Sequence, residues 1–107
     1  MAKAAEVRTR ADFRRFELVL DGVPAGYTTF RDLDRVRVFL ETRISSTCED
    51  LGLGVRLIGE ALDETWAAGM RVDPQCPDVR RFIAKRQEYA DLVCDRRSPH
   101  RLTARPA

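Results

Sequence analysis

Three short stretches of this 107-residue chain carry groups suited to chemistry. Gly52-Leu53-Gly54 stands ahead of a run of apolar residues at helical intervals. Two glycines there let the backbone come close to a bound group and leave free N–H donors at a helix N-terminus, which can hold a phosphate. A plain tight turn would use the same residues. The spacing excludes a dinucleotide fingerprint, whose third glycine would fall at Leu57, and a Walker loop, since no Gly-Lys-Ser/Thr follows. Cys76, between Gln75 and Pro77, marks the point where a strand gives way to a helix. A helix N-terminus biases a thiol toward the reactive thiolate; the plainer reading is a small buried hydrophobe. Glu41, on the polar side of a strand leading into the glycine loop, could take a proton from an amine. Its plainer role is an exposed ion pair with Arg37 or Arg43, worth about 0–1 kcal/mol. Cys48, Cys94 and His100 have no comparable setting.

These groups need elements to hold them. FRRFELVL, residues 13–20, alternates as a strand with Phe16, Leu18 and Leu20 on one face. Asp21-Gly22 signals a hairpin that Pro24 lengthens, and a second strand follows over about 25–31. Asp32 and Asp34 flank the next turn. Over about 35–44, Val36, Val38, Leu40, Thr42 and Ile44 fall on one face and Arg37, Phe39, Glu41 and Arg43 on the other, a period of two that predicts an antiparallel meander. From Leu53 the apolar residues Leu57, Ile58, Ala61, Leu62 and Trp66 fall at helical spacing, closed by Gly69. A short strand over 70–75 and a helix opened by Pro77, with Val79, Phe82 and Ile83 inside, complete the order β-β-β-α-β-α.

Charge and composition exclude several classes. The formal net charge is +2, with 44% hydrophobic and 34% charged residues, enough apolar mass for one core. Residues 1–15 carry five basic and two acidic groups, and 95–107 four arginines and one aspartate, so the stretch 16–94 is net acidic at −4. A nucleic-acid binder needs a basic face on its folded part, so no such partner is expected. No run nears the roughly 20 apolar residues of a membrane span, and no apolar stretch follows Lys3 as a secretory signal requires. Three cysteines without CxxC spacing suit neither a disulfide framework nor structural zinc, which points to a reducing cytoplasm. The expected layout is a flexible basic N-terminus over 1–11, one α+β domain over 12–94 and a flexible basic tail over 95–107.

The ordered set RFELVLDG, AGYTTF, Thr42-Arg43-Ile44 and EDLGLGVRLIGEALD resembles a GNAT-type acetyltransferase core. Pro74-x-Cys76-Pro77, then Phe82-Ile83 and Glu88-Tyr89-Ala90-Asp91-Leu92, is similar to the ending of its small, single-domain YjdJ-like subfamily, a resemblance covering about residues 13–93. It implies a truncated GNAT fold, mostly antiparallel sheet with two helices, using acetyl-CoA as acyl donor and no metal. The acceptor would be an amine, on a small molecule or a protein. The resemblance places the pantetheine arm between the third strand and the short strand, pairing with the backbone of Thr42, Arg43 and Ile44. It places the pyrophosphate on Leu51, Gly52, Leu53 and Gly54 and the helix start at Val55 and Arg56. Cys76 matches the family's cysteine near the thioester, and Glu41 falls where the family has a histidine. Glu49 and Asp50 depart from the pattern: at about 5 Å and an effective dielectric near 20, each repels a unit of phosphate charge by roughly 3 kcal/mol before screening. That departure keeps a second reading open, a GNAT-like domain that binds a ligand or partner without catalysis.

Overall fold

The computed structural model describes residues 5–46 and 52–93. Strands β1 (Ala5–Arg10), β2 (Arg15–Leu20), β3 (Val23–Leu33) and β4 (Val36–Ile44) are followed by helix α1 (Leu53–Ala67), strand β5 (Arg71–Pro74) and helix α2 (Pro77–Ala84). A 3-10 turn over Gln87–Leu92 then brings the chain back to the sheet, where Val93 bridges Val72 in parallel. The five strands lie in the order β1-β2-β3-β4-β5. The first three pairings are antiparallel and the last, β4 with β5, is parallel. This is the mixed α+β class expected, with one strand more than the sequence reading counts.

The added strand is β1, which occupies residues 5–10 of the segment expected to be a flexible end. AEVRTR has a single large apolar side chain, Val7, and so lacks the apolar signature of a strand. An edge strand needs little more: its backbone pairs with β2 from Ala5↔Leu20 to Arg10↔Arg15, Val7 leans on the core, and charged side chains guard the open edge. Glu6, Arg8 and Arg10 lie on the other face beside the half-buried Glu17, which Arg10 and Arg15 approach at 3.6 and 2.6 Å.

The β2–β3 and β3–β4 hairpins each close with two residues. Asp21 and Gly22 take positive φ (52° and 82°), as a primed turn requires. Pro24 does not lengthen that turn. The extra residue is absorbed inside the ladder, where the register slips between Leu18↔Gly26 and Val19↔Pro24. A second slip breaks the period of two in β4: Thr29 pairs with Glu41 but Phe30 with Phe39, so Leu40 is the extra residue of a β-bulge. Phe39 therefore enters the core, fully buried, on the face that Thr42 and Ile44 share beyond the bulge. Val36 and Val38 face the other way, in a small cluster with Leu33, and Leu40 is 47% exposed.

The main core joins Phe16, Leu18, Phe30 and Phe39 of the sheet to Leu57, Ile58, Ala61 and Leu62 of α1 and Val79 and Phe82 of α2. The rings of Phe16 and Phe30 lie 5.2 Å apart. Arg37, half-buried over the Phe30 ring at 4.2 Å, satisfies its charge with two bonds to Asp32 of 2.8 and 2.9 Å. On α1 the buried stripe runs on to Thr65, whose hydroxyl donates to Ala61, and Trp66, one position round the helix, stays half-exposed. Gly69, at φ 74°, ends α1 as expected.

Candidate functional site

The parallel pair β4–β5 is short for a sequence reason. β5 runs from Val36↔Arg71 only to Phe39↔Pro74. Pro74 has no amide hydrogen to extend the ladder, and Pro77 fixes the φ that starts α2. The last link is the Cys76 N–H, which donates to the Phe39 carbonyl at 2.9 Å. Beyond it β4 continues through Leu40–Ile44, bonded to β3 alone, while the other chain turns away as a helix. The two strands diverge, and a cleft of about 530 Å³ opens on the β4 side of the gap.

Thr42, Arg43 and Ile44 form one wall of this cleft, and Gly52, Gly54, Val55 and Ile58 form another. Gly52 has φ 70°, a conformation that penalises any side chain, and it precedes α1 with no side-chain cap and no acidic residue in the first turn. Among the described residues no side chain caps the leading amides of α1, and such amides can hold an anion. Gly54 lies against β4: a Cβ there would sit 3.4 Å from Ile44 Cγ1. Of the other expected contacts, Leu53 packs toward the core, Arg56 bonds Glu60 at 2.6 Å, and Leu51, like Glu49 and Asp50, lies outside the described residues.

Cys76 is 1% exposed and does not itself line the cleft. Its Sγ–H donates to Thr42 Oγ1 at 3.2 Å, and the Thr42 hydroxyl donates to the fully buried Thr28 Oγ1 at 2.9 Å. Thr42 thus stands between the thiol and the cleft, tying the strand wall to the start of α2. Glu41 is exposed on the alternate face of β4, where it accepts from Arg43 Nε at 2.7 Å and holds that guanidinium still more firmly protonated. The structure brings Cys76 and Thr42 together and sets Glu41 on the other side of the strand. Cys48, Cys94 and His100 lie outside the described residues.

The third wall escaped the sequence reading. Asp78, Arg81, Phe82, Lys85 and Arg86, from α2 and the residues that follow it, line the cleft. The i, i+3, i+4, i+7 stripe of the first four was the available signal, hidden because only Phe82 is apolar. Arg81 is paired with Asp78, and Arg86 lies 4.1 Å over the Phe82 ring. On this wall the cleft has three cationic side chains, Arg81, Lys85 and Arg86, against the single carboxylate of Asp78. A ligand suited to it is anionic at one end and able to pair with strand backbone at the other.

Among the described residues no group of three or more His, Cys, Asp or Glu could hold a metal ion, and no helix is long and apolar enough to cross a membrane. A family model described as GCN5-related N-acetyl-transferase matches residues 15–92. No curated protein matches the chain.

Proposed function

The chain belongs to the GCN5-related N-acetyltransferases, and on that premise we propose that it moves an acetyl group from acetyl-CoA to the nitrogen of an amine. The observation that carries this reading is the divergence of β4 from β5 beside an uncapped, glycine-led helix. A pantetheine arm would complete the unused edge of β4 at Thr42–Ile44, as an added strand does. The diphosphate would sit on the amides of Gly52–Val55, with the cationic wall offsetting the acidic Glu49 and Asp50.

The thioester then lies in the gap where the ladder ends, near Phe39 and Thr42. In direct transfer the amine attacks the carbonyl carbon, the C–S bond breaks, and the thiolate leaves. Glu41, on the open face of β4, is the proposed acceptor of the amine proton. Cys76 is the proposed donor to the departing thiolate, acting through or beside the Thr42 hydroxyl. The burial of Cys76 and its bond to Thr42 favour this route over attack by the thiol itself. The reading extends to the small YjdJ-like subfamily, to a cytoplasmic location and to chemistry without a metal.

Calorimetric titration of the full chain with acetyl-CoA is expected to show saturable binding that weakens with salt. With a panel of amines, Cys76→Ala is expected to lower turnover roughly a hundredfold if the thiol is the general acid, its fold being checked by circular dichroism. Unchanged turnover removes Cys76 from the mechanism, and an acetylated Cys76 in the intact mass restores the covalent route. Absence of binding up to millimolar ligand leaves a binding module with the family's fold.

A further inference from the structure

Of the cations around the cleft, Arg81 is already engaged with Asp78, and the Arg43 guanidinium is held by Glu41 on the far face of β4. Lys85 and Arg86 differ. Neither is paired with a carboxylate among the described residues, and they sit side by side at the C-terminal end of α2, both lining the cleft. Asp78 begins the same stripe one residue past Pro77, next to the gap where β4 and β5 part. Seven residues of helix, at 1.5 Å each, put Lys85 about 10 Å farther along the wall. Arg86 is also held in place. Its guanidinium lies 4.1 Å over the buried Phe82 ring, which in turn packs at a tilt against Tyr89, with ring centres 5.3 Å apart. A guanidinium stacked on its face keeps its in-plane N–H donors free for an oxyanion.

We infer that Lys85 and Arg86 form a second anion subsite that binds the 3′-phosphate of the nucleotide, so that the cleft selects CoA over carriers lacking that group. The inference rests on the acetyl-CoA reading and adds to it. The α1 amides on the opposite wall suit a diphosphate, which is a diester with one charge on each phosphorus. A phosphomonoester carries nearly two charges at neutral pH and suits a lysine beside a fixed arginine. Both groups hang from a single ribose, and the two walls of one cleft are where such a pair would reach.

The test uses the full chain, with CoA and 3′-dephospho-CoA as calorimetric ligands at fixed ionic strength. Because hydrogen bonds to charged groups contribute about 1.5–3 kcal/mol, CoA is expected to bind roughly tenfold tighter or better. Lys85→Gln, an exposed change that leaves the core intact, is expected to bring the ratio toward one by weakening CoA alone. Arg86→Gln should act in the same direction, and Arg86→Lys should restore only part of the preference, since it cannot stack and fork together. Equal affinity for the two ligands in the unaltered protein, with both binding, overturns the subsite and leaves the acetyl-CoA reading standing. A preference that Lys85→Gln and Arg86→Gln leave unchanged does the same. Failure of both ligands to bind overturns the two together.

Discussion

The two halves of β4 have different duties. From Val36 to Phe39 the strand is paired on both sides, with β3 and with β5, and its side chains are buried or nearly so. From Leu40 to Ile44 it is paired with β3 alone, and its side chains are exposed or half-buried. The change coincides with the bulge at Leu40 and with the prolines that end β5. A backbone edge without a neighbour is a liability on a sheet surface. Here it lies within a cleft, faced by a helix and a glycine loop, and so becomes a surface a ligand can complete. The first half stabilises the fold, and the second is left free by that stability to do something else.

Substitutions should separate the halves. Phe39→Ala removes a fully buried ring from the aromatic cluster and is expected to cost about 3–5 kcal/mol, enough to threaten folding of so small a domain. Leu40→Ala, one residue on, should change stability by no more than about 0.5 kcal/mol, because the bulged side chain faces solvent. Urea denaturation measures both, and equal costs would dissolve the contrast. Thr42→Val keeps the shape but strips the hydroxyl that links Cys76 to Thr28. About 1–3 kcal/mol of stability should be lost, as buried partners are left unpaired, together with turnover on acetyl-CoA.

A pH-dependent effect lies off the strand, in the 3-10 turn that follows α2. Tyr89 donates to Asp63 on α1 at 2.9 Å, and burial followed by that bond pushes its phenol up to about 12. The folded protein thus holds this proton more tightly than the unfolded chain, whose tyrosines titrate near 10. The contribution is complete below about pH 10 and fades as pH climbs toward 12. Thermal melts across that range should show a decline that Tyr89→Phe flattens. Since Tyr89 packs on Phe82, the same alkaline step should loosen the Arg86 perch.

Much of the fold was legible. Asp21-Gly22, Gly69 and Pro77 each demand one local conformation, and the Leu57–Leu62 stripe has no other explanation than a helix. The cleft was legible only on two sides. Thr42–Ile44 and Gly52–Gly54 carry local signals, a strand and a glycine turn. Asp78, Arg81, Lys85 and Arg86 read as an ordinary solvated helix face, and nothing local says that a ligand-sized space lies in front of it. The bulge at Leu40 was hidden for a related reason. Val36, Val38, Leu40, Thr42 and Ile44 make an unbroken alternation, which Phe39 overrides because the largest ring available completes the cluster with Phe16 and Phe30. β1 was hidden because an edge strand is held by the backbone of its neighbour rather than by its own apolar side chains.

Sequence alone was sufficient for much that depends on neighbours a few residues apart: the Asp21-Gly22 turn, the glycine that ends α1, the glycine before α1 and the thiol before α2. Tertiary structure decided everything that depends on which surfaces meet. It set the face that Phe39 takes, the point where β4 and β5 part, the bond from Cys76 to Thr42 across 34 residues, and the cationic wall opposite the glycines. The physical reason is range. Backbone dihedrals are biased by adjacent residues, whereas a cleft exists only after the core has chosen how its walls pack.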